Sequence, residues 1–291
     1  MFDDVSGYIW IDGEIVAWKD ARIHIMTHSL HYASSVFEGL RCYKNKVLKA
    51  LPHYQRMQES AKYLDYDLPY SPQELVDATN KLIELGKYNF GYIRAIAWCG
   101  TSKMTVSNKD SDIHLAIGIW ESPLSYNAEV YENGIRMNLA SWRRPHPSTA
   151  PVHSKAAGMY TISSMSKKSA ELAGFTESLM LDYAGNIAEA TSANIFLVID
   201  GSLYTPVADC FLNGITRRTC IEIAKNNNIP IYESKLTLAD LDRASEIFLT
   251  GTAVEILPVG TIEHEEKIWR FKPSDVTYKI RSEFLKIIDN L

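Results

Sequence analysis

His153-Ser154-Lys155-Ala156-Ala157-Gly158-Met159-Tyr160 and, about thirty residues later, Asn186-Ile187-Ala188-Glu189-Ala190-Thr191-Ser192-Ala193-Asn194 hold the lysine and the carboxylate on which the reading of this chain turns. A lysine among small residues is an amine that a carbonyl can approach, and the glutamate adds an acidic partner. Pyridoxal phosphate (PLP) needs both: an amine for a Schiff base, and a carboxylate that keeps the pyridine nitrogen protonated so that the ring can accept electrons. Either residue alone is more often a solvated surface group. The weight therefore lies on the pair and on what surrounds it.

A chain of 291 residues suits two domains around separate cores. Its 46% apolar and 22% charged residues are ordinary for a globular enzyme. A net charge of −5 supplies no basic stripe, so no nucleic-acid partner is expected. No apolar run approaches the ~20 residues of a spanning helix and no signal-peptide pattern opens the chain, which predicts a cytoplasmic protein without membrane attachment. Cys42, Cys99, Cys210 and Cys220 are scattered, as expected of reduced, buried thiols. His24, His28 and His31 cluster, but the glutamate of a zinc motif is missing. Their stretch alternates like a strand entering a turn, so no metal site is expected. Dinucleotide, P-loop and nucleophile-elbow motifs are absent from the sequence.

Tyr8 to Val16 alternates around Asp12-Gly13 and predicts a hairpin. A helix is expected from His53 to Tyr66, with Tyr54, Met57, Ala61 and Leu64 on one face. Another is marked by Ser71 as N-cap, Pro72, Glu74 completing a capping box, and Gly86 near its end. Tyr92–Trp98 and Ile113–Trp120 read as strands. This places a small α+β domain at 1–124, a polar connector at 125–133 and a larger domain at 134–291. In the latter, strands are expected at Ile135–Trp142, Leu179–Asp182, Ile195–Ile199 and Glu246–Leu249. Helices are expected at Ala157–Leu172, from Gly214 to Lys225, and at Val276–Leu291.

A phosphate asks for backbone N–H groups at a helix start, hydroxyls and a cation. Asn213-Gly214-Ile215-Thr216 and Thr250-Gly251-Thr252-Ala253 can supply the first two, and Arg56 the guanidinium. Each alone is more often a helix cap or an ordinary turn.

These residues carry a resemblance. Tyr32 to Tyr43 (YASSVFEGLRCY), Gly91-Tyr92-Ile93-Arg94, Ser154 to Gly158, Gly185 to Glu189, Gly214 to Arg217 and Gly251 to Ile256 occur in one order from about Tyr8 to Val259. In this they resemble the class IV aminotransferases, and within them the branched-chain amino acid aminotransferases. The resemblance implies an α+β, two-domain fold type IV PLP enzyme, like the D-amino-acid aminotransferases. Its N-terminal α/β domain would be small, and its larger C-terminal domain would have a β-barrel-like core and flanking helices.

It further implies Lys155 as the Schiff-base lysine, Glu189 as partner of the pyridine nitrogen and Tyr160 at the cofactor's phenolic oxygen. Arg56, Ile215, Thr216 and Thr252 would hold the phosphate. The substrate carboxylate would meet Tyr92 and the N–H groups of Thr252 and Ala253. Tyr32, Phe37, Gly39, Met104, Val106 and Trp120 would line the side-chain pocket, some of them from a neighbouring subunit, and Arg94 would accept the second carboxylate of glutamate. The implied reaction is ping-pong amino transfer between L-leucine, L-isoleucine or L-valine and 2-oxoglutarate, in a homodimer at minimum, with a trimer of dimers as the larger option. D-amino-acid aminotransferase and aminodeoxychorismate lyase share the fold and stand as alternatives. Ala33, Ala95 and Asn213 depart from the residues common in relatives, glycine, proline and proline respectively.

Overall fold

The computed structural model describes residues 5–101, 103–123 and 126–291. They pack as two compact units: residues up to Pro123 with Ser154–Met159, and the remainder as far as Asn290. Ser154–Met159 lies inside the span expected for the C-terminal domain, yet packs with the N-terminal unit.

The N-terminal unit runs β1 (Tyr8–Ile11), β2 (Glu14–Ala17), α1 (His28–Tyr32), β3 (Ser35–Tyr43), β4 (Lys46–Val47), α2 (Ala50–Lys62), α3 (Pro72–Gly86), β5 (Phe90–Cys99) and β6 (Ile113–Trp120). Its six strands form an antiparallel sheet in the order β2-β1-β6-β5-β3-β4. Val36, Leu40, Ile93, Ala95, Ala97, Leu115 and Ile117 alternate onto one face, where they pack with Tyr54, Met57 and Ala61 of α2 and Leu75 and Leu82 of α3. Such single-faced burial is what an antiparallel sheet with one covered side produces. The capping box at α3 is present, Ser71 accepting from the Glu74 N–H and Glu74 from the Ser71 N–H. The expected strand entering a turn near His28 is instead the short helix α1. Local hydrogen bonds override the alternation there: His28 Nδ1 lies 2.6 Å from Ser34 Oγ, and Nε2 lies 3.0 Å from the Thr105 carbonyl. Among the described residues no group of three or more His, Cys, Asp or Glu is placed to hold a metal.

The second unit runs α4 (Ala128–Asn133), β7 (Ile135–Leu139), α5 (Tyr160–Leu172), β8 (Glu177–Leu181), β9 (Ile187–Ala190), β10 (Asn194–Ile199), β11 (Ser202–Pro206), α6 (Ile215–Asn226), β12 (Ile231–Ser234), β13 (Glu246–Gly251), β14 (Glu255–His264), β15 (Lys267–Arg270) and α7 (Asp275–Asp289). The polar stretch expected as a connector folds partly into α4, capped by Asn127, whose side chain accepts from the Val130 N–H. β7 stops at Leu139 rather than at Trp142. Nine strands form one sheet in the order β12-β11-β10-β13-β14-β7-β8-β9, with β15 on β14. β8, β9 and β10 are buried along their whole length. Leu179, Ile195, Leu197, Ile247, Leu249, Leu257 and Val259 fill the inside of this half-barrel, and runs buried on both faces read as continuous apolar segments.

Candidate functional site

In the N-terminal unit, β3 turns Val36, Glu38 and Leu40 toward the helices and Phe37 and Gly39 to the opposite face. The register pairs Gly39 with Arg94, and Tyr92 with Trp120. Directly paired residues share a face, so Phe37, Gly39, Tyr92, Arg94 and Trp120 gather on the side turned away from α2 and α3. The Arg94 guanidinium carbon stands 4.7 Å from the Phe37 ring centre and 5.6 Å from that of Tyr92. The Tyr92 and Trp120 rings are 5.3 Å apart. Glycine at position 39 lets the Tyr92 hydroxyl lie against the strand, because a Cβ there would displace it.

The lysine segment joins this face through its backbone. The Phe37 N–H donates to the Lys155 carbonyl at 3.1 Å, the Lys155 N–H to Ser60 Oγ at 3.0 Å, and Ser154 Oγ to the Ser60 carbonyl at 2.8 Å. Lys155 Nζ is 5.0 Å from the Phe37 ring centre. Tyr32, Met104 and Val106 belong to α1 and the β5–β6 loop instead, and are exposed by 42%, 41% and 79%.

On the helix side of β3 lies a buried network absent from the sequence reading. Arg56 donates to both oxygens of Glu38, from Nε at 2.6 Å and Nη2 at 2.9 Å, while His53 Nδ1 is 2.7 Å from Glu38 Oε2. Burial by itself raises the Glu38 pKa; the attraction of Arg56 and the hydrogen bonds from both partners overcome it and hold the carboxyl well below the usual range. Burial pushes the His53 imidazole down from its ordinary value, so it sits there as a neutral donor. Within the motif, Glu38 alternates onto the core face, where a charge demands a partner; that was the available signal.

In the second unit, Glu189 on β9 is buried. Arg144 Nη2 reaches its Oε1 at 2.9 Å, and Asn194 Nδ2 donates to Oε2 at 2.9 Å. Arg144 also donates to Ser163 Oγ and the Thr191 carbonyl. Asn194 Nδ2 donates as well to the Leu212 carbonyl, and its Oδ1 accepts from the Gly214 N–H at 3.1 Å. Gly214 is the N-cap of α6, so Ile215 and Thr216 open that helix with their N–H groups at its positive end. Asn194 pairs directly with Thr250, whose hydroxyl is buried without a partner among the described residues. Gly251, with Thr252 and Ala253 beyond it, forms a turn beside Ser192 and Ala193, and Tyr160 is the first residue of α5. A helix N-terminus with small residues and an unsatisfied buried hydroxyl fits a phosphate ester, and a buried carboxylate fits a protonated ring nitrogen. Arg144 lies beyond the end of β7, outside any periodic pattern that would have flagged it.

The class IV amino-transferase family profile matches residues 35–262. The chain is 39% identical over 287 residues to the probable branched-chain-amino-acid aminotransferase of Rickettsia felis, covering 98% of this chain and 97% of that one. It superposes on the crystal structure of the Escherichia coli branched-chain amino acid aminotransferase with a TM-score of 0.92 at 34% identity, over 98% and 95% of the two chains. A further branched-chain amino acid aminotransferase, solved in complex with N-(5'-phosphopyridoxyl)-L-glutamate, gives 0.91 at 31% identity over the same shares. The chain thus belongs to the class IV aminotransferases, and its amino-group chemistry depends on pyridoxal phosphate.

Proposed function

We propose that this enzyme exchanges the amino group between L-leucine, L-isoleucine or L-valine and 2-oxoglutarate, giving the 2-oxo acids and L-glutamate. The observation that carries the reading is the Phe37–Tyr92–Trp120 face with Arg94 laid across two of its rings. An aliphatic side chain gains by burial against such a surface. The side-chain carboxylate of glutamate needs a cation, and Arg94 is one that can serve it without making the rest of the surface polar. The near full-length relatives carrying the branched-chain name support the same substrates.

PLP supplies the electron sink that makes the substrate α-proton removable. Lys155 would hold the cofactor's aldehyde through its amine and, once the incoming substrate amine has displaced it, would use that freed amine to move the proton between the substrate α-carbon and the cofactor C4′ atom. Glu189 holds the ring-nitrogen proton, and Tyr160 donates to the phenolic oxygen. The α6 N-terminus with Ile215, Thr216 and Thr252 takes the phosphate, with Arg56 as the guanidinium on the same group. Tyr92 and the N–H groups of Thr252 and Ala253 take the substrate carboxylate, and Gly39, in the wall of the side-chain pocket, makes room for the Tyr92 hydroxyl.

Tyr32, Met104 and Val106 are exposed, as are Ile23, Ile25, Met26 and Leu30, and the His28 ring joins α1 to the Thr105 carbonyl between Met104 and Val106. A surface this apolar is expected to be covered, and a second copy of the chain would complete the pocket. The minimal unit is then a homodimer, with a trimer of dimers as the larger option. No helix among the described residues is long and apolar enough to cross a membrane, and a cytoplasmic site of action accords with the metabolite substrates.

A half-reaction panel tests the substrate reading. The PLP-loaded enzyme is mixed with L-leucine, L-valine or D-alanine, and loss of the bound-PLP absorbance is followed, with pyruvate release from aminodeoxychorismate as a parallel assay. Conversion by the L-branched amino acids is expected. Conversion by D-alanine alone, or pyruvate release, would replace the proposal with one of the alternatives.

A further inference from the structure

The Glu189 carboxylate does not stand by itself. Arg144 and Glu189 are 7% and 6% exposed, and a buried carboxylate without a cation takes up a proton. The surroundings press the same way. Cys210, whose thiol is pushed up to about 12 by burial and then by the charges of Asp209, Asp182 and Glu189, marks this corner as acidic. Arg144 counters that pressure from 2.9 Å, and is fixed in turn by Ser163 and the Thr191 carbonyl. On the other oxygen, Asn194 connects Glu189 to the Gly214 N–H at the start of α6. The fit is tight: a Cβ on Gly214 would run into Asn194 Oδ1.

We infer that Arg144 and Asn194 are positioning residues for the cofactor: Arg144 keeps Glu189 anionic for the ring nitrogen, and Asn194 ties that carboxylate to the helix start that receives the phosphate. The two ends of the coenzyme are thereby gripped by one hydrogen-bonded unit, Arg144–Glu189–Asn194–Gly214. This rests on Glu189 as the ring-nitrogen partner and on α6 as the phosphate site.

The test is PLP affinity of the apo-protein, read by quenching of intrinsic fluorescence, in a double-mutant cycle. Glu189→Gln should weaken PLP about tenfold or more, the scale of a lost charged hydrogen bond. Arg144→Met should do the same, Arg144→Lys should restore most of the loss, and Arg144→Met should cost less than about twofold once Glu189→Gln is present. Asn194→Ala should weaken PLP more than it weakens pyridoxal, which has no phosphate. Should Arg144→Met alone fail to fold, the double variant, which removes both charges, is compared with Glu189→Gln, and Arg144→Lys with the native protein. Losses from Arg144 and Glu189 that simply multiply, or equal losses of PLP and pyridoxal with Asn194→Ala, would overturn the inference while leaving Glu189 in place. A Glu189→Gln variant with unchanged affinity would remove both the inference and the reading beneath it.

Discussion

Two buried carboxylates, one in each unit, are held by an arginine and one further side chain, yet they are wired differently. Glu38 accepts twice from Arg56, once from His53 and once from the Gly39 N–H, which accounts for about four acceptor sites, the capacity of a carboxylate. Glu189 receives one arginine and an amide, and the amide leads on to the start of a helix. The first arrangement fastens β3 to α2 and fixes the Arg56 guanidinium; the second runs through Asn194 to the Gly214 N–H at the start of α6, beside the groups that suit a phosphate ester. Burial and ion pairing by themselves therefore do not single out a reacting carboxylate. What the partners connect to does.

The comparison can be broken most severely at Lys155. Lys155→Ala should lower turnover by at least about 10⁴-fold, as deletion of a covalent nucleophile does. Its unfolding midpoint in urea should barely move, because the segment is held by backbone bonds to Phe37 and Ser60. Residual activity near the native level would show that another amine does the work. Glu38→Ala should act on stability instead, costing about 3–5 kcal/mol because it strands the Arg56 charge in the interior. Equilibrium denaturation measures this, and a cost below about 1 kcal/mol would mean that water already reaches the pair.

Glu189→Gln should reduce kcat by about 10²–10³, the scale of one lost preorganised electrostatic contact. A smaller effect than that of Tyr160→Phe would shift the weight away from the ring nitrogen. A gentler contrast lies in acid. Burial lowers the His53 pKa below its ordinary 6.5, so the unfolded chain binds the extra proton. Stability is then full above that value and falls as pH drops toward the buried one. Glu38, also depressed, adds a second loss below its ordinary 4.5. Denaturation midpoints that stay flat between about pH 7.5 and pH 5 would contradict a neutral, buried His53.

The smallest effect concerns a departure from relatives. Ala33 caps α1 with φ of 55°, the left-handed region. That conformation costs alanine about 1–2 kcal/mol, part of which glycine gives back through the greater freedom of its unfolded chain. Ala33→Gly should raise stability by no more than about 1 kcal/mol, and a clear destabilisation would show that the Ala33 methyl packs usefully against Gly158.

Much of this was legible in the residues. The hairpin, the Ser71 capping box, the helix after Gly214 and the closing helix all carry local signals. The motif order supplied the family and therefore the half-barrel. Ser35–Tyr43, the strand that positions Phe37 and Gly39, escaped the local reading because its core-facing set includes the charged Glu38, which spoils the apolar alternation. Arg144 and the Asn194 link were illegible for a different reason: an ion pair between a loop and a strand 45 residues away leaves no periodic trace. Nor could spacing show that Ser154–Met159 packs with the N-terminal unit. Ala95 is a core residue of β5, and Asn213 accepts from Arg217 Nη1 at 3.0 Å, a bond that proline could not make.

The most direct test of the whole account is chemical. PLP-loaded enzyme is treated with borohydride, digested and mapped by mass spectrometry. A phosphopyridoxyl group fixed on Lys155 and on no other lysine is the predicted result. An unlabelled Lys155, or label spread over surface lysines, would contradict the assignment from which every other role here follows.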